Sequence, residues 1–414
     1  MKSHIYIRLS LMMFLQYFVW GAWYVTVGIY MAEIGMGKSI YWAYTVGPIA
    51  ALVSPFFLGM VADRFFATEK VLGTLHLLGG VFMLLAPLVA AETGSVWLFI
   101  LMLLLHMLCY TPTMGLTNTL TFHQITSQEK QFPVIRVFGT IGWIVAGILI
   151  SKLGAEATST PLWIAGGGSL VLGLFSFTLP HTPPPAAGKS VSWREVVGLD
   201  ALRKLSSKSF NVFLLCSLLI CVPLAAYYSY AGNFVAHLGI GEPAFKMTFG
   251  QMSETFFLFV MPFFFVRLGF KWMMLIGMFA WVLRYVLFAY AAVDVNLWMI
   301  MTGIIFHGIC YDFFFVTGQI YVDRKSTPAI RGQAQGLLVM AMFGVGSLIG
   351  SVATGKWFNH TIDLESSAAQ PWYTFWMAPA IFAAAVMVLF AVLFKNDLKP
   401  EHEVEARGGE GERV

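Results

Sequence analysis

The chain has 414 residues, 58% of them hydrophobic and 11% charged, and a mean hydropathy of +0.75. That balance excludes an ordinary soluble domain and reads as a polytopic membrane protein. The net charge of +4 carries no nucleic-acid signal, because its placement follows membrane orientation. In chain order, the first apolar run, about 5–32, is too long for a signal-peptide core and lacks a small-residue cleavage site, so it reads as the first span. Further runs of spanning length fall at about 40–62, 70–91, 95–123, 133–153, 161–180, 209–238, 246–268, 271–292, 296–322, 331–357 and 371–394. The one long break, 182–208, is proline-rich and then basic, and it divides the spans six and six. The expected organisation is therefore an all-α integral membrane protein: one six-helix bundle over 1–181, a cytoplasmic linker over 182–208 and a second bundle over 209–396. The charged, glycine-containing tail over 397–414 is expected to be disordered.

Of the 25 lysines and arginines, only Lys38, Lys152, Lys246 and Lys356 fall on the outer side when both termini are placed inside, and only Arg136 and Arg284 fall within the membrane. That asymmetry predicts cytoplasmic termini. The four cysteines, Cys109, Cys216, Cys221 and Cys310, lie in apolar runs, which argues against a disulfide framework and against a metal site. Two short matches link the halves. Pro55-Phe56-Phe57 recurs as Pro262-Phe263-Phe264, and His106-Met107-Leu108-Cys109-Tyr110 recurs as His307-Gly308-Ile309-Cys310-Tyr311, each at the corresponding span. A duplicated six-span unit explains both, and parallel repeats of this kind describe the major facilitator architecture, with substrate held near the midplane.

Charges at bilayer depth are costly, roughly 2.5–3.5 kcal/mol on insertion scales, so those that remain usually have a function. Arg136, Thr140 and Trp143 fall at i, i+4 and i+7 in Phe132–Trp143 and place a cation, a hydroxyl and an indole on one stripe. Gln251 and Glu254, at i and i+3, share a face suited to a polyhydroxylated ligand, with Glu254 able to exchange a proton; the competing reading is an internal ion pair that only fixes packing. Asp312 is either a proton relay or a structural partner of Arg284. His307 and Tyr311 form a further polar-aromatic face, whereas His106 also fits a simple packing role. Gln16, Trp20, Trp23 and Tyr30, with Tyr227, Tyr228 and Tyr230, offer rings to a planar ligand, although most aromatics must face lipid or packing. Gly346 and Gly350 give a small-xxx-small spacing, a structural feature, and Gly166-Gly167-Gly168 lacks the preceding strand that a phosphate loop needs.

Gly59-Met60-Val61-Ala62-Asp63-Arg64 is similar to the major facilitator signature loop, and the whole chain resembles the nucleoside:proton symporters, the bacterial nucleoside permeases. The resemblance is carried by FLQYFVWGAW (14–23), LGMVADR (58–64), YTPTMGLTNT (110–119), FPVIRVFGTIGW (132–143), VGLD (197–200), QMSETFF (251–257), AWVLRYVLFAY (280–290), YDFF (311–314) and PAIRGQAQG (328–336), in order through both halves. It implies a transporter, not an enzyme: proton-coupled nucleoside uptake across a bacterial inner membrane, with no cofactor beyond the proton and with the lipid bilayer as its surroundings. No nucleic-acid partner is implied, and a monomer is expected. Substrate contacts are implied at Arg136, Thr140, Trp143, Gln251, Glu254, His307 and Tyr311, and the corresponding position in span 7 is Ser229. Departures cluster there. Ala226 and Ser229 stand where the family leads one to expect glutamine and asparagine, and His307 and Tyr311 where it leads one to expect tyrosine and phenylalanine. A sugar or other glycoside-like solute, also carried with protons, is the alternative substrate class. A non-transporting membrane receptor is a remote one.

Overall fold

The computed structural model describes residues 3–57, 65–184, 193–328, 330–366 and 368–398. The signature-like loop at Gly59–Arg64, residues 185–192 of the linker and the tail from 399 onward lie outside the described residues.

Every described element is helical. A long apolar run in lipid has no water to satisfy its peptide groups, and the helix satisfies them within the segment itself. In chain order the helices are α1 (Ser3–Trp23), α2 (Val27–Glu33), α3 (Ile40–Phe57), α4 (Thr68–Thr93), α5 (Val96–Gln124), α6 (Gln128–Lys152), α7 (Thr160–Ser176), α8 (Trp193–Val197), α9 (Leu199–Leu205), α10 (Lys208–His237), α11 (Pro243–Asp294), α12 (Leu297–Ile305), α13 (His307–Tyr311), α14 (Thr317–Lys325), α15 (Arg331–Val339), α16 (Ser347–Thr361) and α17 (Pro371–Leu393). Two π-helical turns, Asp312–Val316 and Met340–Gly346, interrupt the tenth and eleventh predicted spans. Among the described residues, nine helical stretches are long and apolar enough to cross a membrane.

Helix covers all or most of each predicted span, with three differences of detail. The first span breaks into α1 and α2 at Tyr24–Thr26, where Tyr44 Oη donates to the Tyr24 carbonyl at 2.9 Å. The eighth and ninth spans run together as α11, parted only by Gly269 with φ 66° and ψ −178°, a conformation open to glycine because it has no Cβ. The tenth span is α12, α13, a π turn and α14 in succession.

The chain divides into two compact units: Met1–Trp193 with Tyr228–Thr248, and Arg194–Tyr227 with Phe249–Val414. In the first, α1 packs on α6 and α7, α4 on α5 and α7, and α3 on α5. Leu9, Met12 and Met13 of α1 meet Leu72, Leu116, Leu120, Ile135 and Leu172 in one apolar cluster. A buried polar network crosses the same unit. Gln16 Nε2 donates to Thr113 Oγ1 at 2.7 Å, His76 Nε2 lies 2.8 Å from Gln16 Oε1, His76 Nδ1 lies 3.0 Å from Ser169 Oγ, and Tyr110 Oη donates to the Gln16 carbonyl at 2.6 Å. Such satisfied groups fix one rotation of α1 where apolar contacts alone would tolerate several. In the second unit, Trp281 packs on Phe314 and Phe315, and Tyr285 stacks on Trp376 with centroids 5.7 Å apart.

Candidate functional site

In the first unit the α6 stripe lies beside the aromatic face of α1. The Arg136 guanidinium carbon sits 4.1 Å from the centre of the Tyr17 ring, a distance at which a cation is attracted to the π face. Gly139 makes this approach possible, since a Cβ there would lie 2.8 Å from Arg136 Nη1 and 2.6 Å from Tyr17 Cδ2. Thr140 follows one turn on and is half-buried. Trp143 is 8% exposed and meets Trp20 edge to face at 5.1 Å and Tyr24 at 6.3 Å. Trp20 in turn touches Tyr110 at 6.1 Å, the residue that anchors the Gln16 carbonyl. The network around Gln16 therefore sets the angle at which α1 offers its rings to the stripe.

Ser229 belongs to the same unit, on the last turns of α10. Its hydroxyl is buried and has no hydrogen-bond partner among the described residues, while its carbonyl accepts from Asn233 Nδ2 at 3.0 Å. Its neighbour Tyr228 reaches Tyr24 at 6.0 Å. Tyr17 and Tyr24 were not singled out by sequence, although their spacing around Trp20 (i−3 and i+4) carries the signal.

In the second unit, α11 and α13 bring four expected residues together. Glu254 Oε2 stands 3.7 Å from His307 Nε2, an ion-pair distance when the imidazole is protonated. The Glu254 side chain is 34% exposed and that of His307 is buried. His307 stacks on Tyr227 at 5.1 Å and 19° and lies 5.7 Å from Tyr311. Gly308 lets α13 approach α11, because a Cβ there would meet the Ser253 carbonyl at 2.5 Å, and Ser253 Oγ donates to the Ile305 carbonyl. Gln251 Oε1 is buried and unpartnered among the described residues.

Asp312 is 1% exposed, and its Oδ2 has no hydrogen-bond partner among the described residues. It opens the π turn that follows α13. Arg284 Nε donates to the Gly303 carbonyl at 3.0 Å, and its guanidinium lies 4.1 Å from the centre of the Tyr227 ring. Among the described residues, no three His, Cys, Asp or Glu side chains cluster as metal ligands. The two sets thus offer rings for a planar ligand, hydroxyl, amide and guanidinium groups for hydrogen bonds, and a carboxylate with a histidine for a proton.

The profile described as nucleoside H+ symporter matches residues 3–399. The chain is 37% identical over 403 residues to the putative nucleoside transporter YegT of Escherichia coli strain K12, covering 94% of this chain and 93% of that protein. It is 31% identical over 408 residues to the nucleoside permease NupG of the same organism, covering 94% and 96%. A crystal structure of the nucleoside transporter NupG superposes with a TM-score of 0.85 at 30% identity, over 96% of this chain and 100% of that one. The fold is that of the major facilitators, and the chain belongs to the nucleoside H+ symporter family.

Proposed function

We propose that the protein takes up nucleosides together with protons across the bacterial inner membrane. It does so by alternating access of two bundles, 1–181 and 209–396, joined by a cytoplasmic linker over 182–208, with both termini cytoplasmic and the monomer as the working unit. Arg136, Thr140, Trp143 and Ser229 contact substrate from the first half, and Gln251, Glu254, His307 and Tyr311 from the second. Glu254 carries the coupling proton and Asp312 assists its transfer. The observation that supports this best is Glu254 itself: a carboxylate within an apolar helix, its side chain 34% exposed, 3.7 Å from a histidine and one turn from Gln251. The names of YegT and NupG, the relatives described above, do not favour the sugar alternative.

Uptake of labelled nucleosides into proteoliposomes under an imposed pH gradient tests the reading. Accumulation is expected to collapse with a protonophore, and Glu254→Gln is expected to abolish accumulation while retaining measurable binding. Accumulation that ignores the protonophore would overturn the coupling. Competition by purine and pyrimidine nucleosides, free bases and sugars then defines the substrate class, and competition by sugars alone would return the reading to its alternative.

A further inference from the structure

Ser151, in the last turn of α6, uses its hydroxyl in a way that local geometry does not require. A helical serine commonly donates to the carbonyl four residues earlier. Ser151 Oγ instead donates off the helix to Glu156 Oε1 at 2.6 Å, in the segment that follows. With its proton so engaged, the Ser151 oxygen accepts the backbone N–H of Phe245 at 2.9 Å. Phe245 is the third residue of α11, whose first N–H groups have no acceptor within their own helix. Ser151 therefore caps α11 from another helix, and Glu156 holds the cap in its accepting orientation.

The packing beneath is equally close. Gly147, one turn before Ser151, faces α11 so tightly that a Cβ would stand 2.6 Å from Thr248 Cγ2 and 3.1 Å from the Ala244 carbonyl. Ala244 is buried in a small apolar cluster with Ile150 and Ala155. These first turns of α11 belong to the first compact unit, and from Phe249 onward the same helix belongs to the second. Gln251 and Glu254 follow Phe245 by six and nine residues, about 9 and 14 Å at 1.5 Å per residue. Whatever holds or frees the start of α11 therefore acts on the helix that carries both.

We propose that Ser151 and Glu156 form a releasable clasp on α11, and that the step of the transport cycle which moves this helix requires the Ser151–Phe245 hydrogen bond and the Gly147 contact to part. Both are positioning residues acting through α11. The inference rests on the alternating-access reading, but its test needs no nucleoside.

The test is the rate at which a maleimide labels Ala244→Cys in the detergent-purified full chain, with the parent chain correcting for Cys109, Cys216, Cys221 and Cys310. Ser151→Ala and Glu156→Ala, each added to Ala244→Cys, are expected to raise the rate at least fivefold. Ser151→Thr and Glu156→Gln, which keep a hydroxyl and an acceptor oxygen, are expected to stay within twofold of Ala244→Cys alone. Labelling of the Ser151→Ala protein within twofold of that reference would overturn the proposal, as would failure of threonine to restore it. Failure of nucleoside uptake with this labelling pattern intact would count against the transport reading and leave the clasp standing.

Discussion

Trp143 presents an indole to the stripe, and its surroundings show how the ring is seated. It lies edge to face with Trp20 at 5.1 Å and is accommodated by Gly21, where a Cβ would come within 2.9 Å of the Trp143 Cα. Trp143→Phe keeps a π face and is expected to change the KM for nucleoside uptake by less than about fivefold. Trp143→Ala removes it. Stacking of a base on an aromatic side chain contributes roughly 1–3 kcal/mol, so KM should rise about fivefold to 150-fold while the protein remains folded by thermal shift. An alanine variant with unchanged KM would remove Trp143 from the proposed site. The stripe that carries Trp143 is legible in the sequence because a 3.6-residue period fixes which residues share a face. The companion rings of Tyr17 and Tyr24 are less so, because their contact depends on the rotation of α1 relative to α6. That rotation is set by Gln16, His76, Thr113 and Ser169, residues far apart in the chain. Asp312 shows the same limit. The sequence leaves it between a proton relay and a partner for Arg284, and it gives no sign that Arg284 Nε meets the Gly303 carbonyl and its guanidinium the Tyr227 ring.

At the scale of elements, run length alone locates the helices, because in lipid an apolar segment has few other ways to satisfy its backbone. Their interruptions are harder to read. Gly269 replaces an expected loop with a single left-handed residue, and the π turn at Asp312–Val316 shifts the facing of residues beyond it by inserting an extra residue per turn. Nothing in the sequence DFFFV announces that shift. The approach of α13 to α11 depends on Gly308 and provides a test of this packing. Gly308→Ala would drive a Cβ to 2.5 Å from the Ser253 carbonyl, and overpacking of this kind costs about 1–3 kcal/mol. The variant is expected to lower the thermal midpoint and to weaken nucleoside binding, since His307 precedes the displaced residue. Gly167→Ala is the control, because a Cβ there meets nothing within 4 Å. Equal behaviour of the two variants would contradict the close α11–α13 contact.

At the scale of the molecule, two short matches in the sequence point to a repeat, but nothing in it announces how distant segments are fastened. Asp397, where the tail was expected to begin, accepts from Ser207 Oγ at 2.6 Å, from Tyr321 Oη at 2.7 Å and from Lys325 Nζ at 2.6 Å. It thereby ties the end of the linker and the end of α14 to the segment after α17, all within the second unit. Partial burial alone would raise the Asp397 pKa, but the hydrogen bonds from Lys325, Ser207 and Tyr321 outweigh it and hold the carboxyl below its ordinary value. A group depressed on folding contributes stability above its unfolded pKa, about 3.9 for aspartate, and loses that contribution as pH falls through the folded value. Asp397→Asn is therefore expected to cost about 1 kcal/mol at neutral pH, a modest figure because the side chain is partly exposed and its ion pair is screened. The cost should appear as a lower thermal midpoint that is constant from about pH 5 to 8, where aspartate is ionised in both states. As the pH falls below about 4, the wild-type and Asp397→Asn midpoints should converge, because protonation removes from the native chain the same charge that the substitution removes. A gap that stays constant down to the acid limit of the assay would mean that Asp397 acts by shape rather than charge, and the ionic account of this fastening would fail.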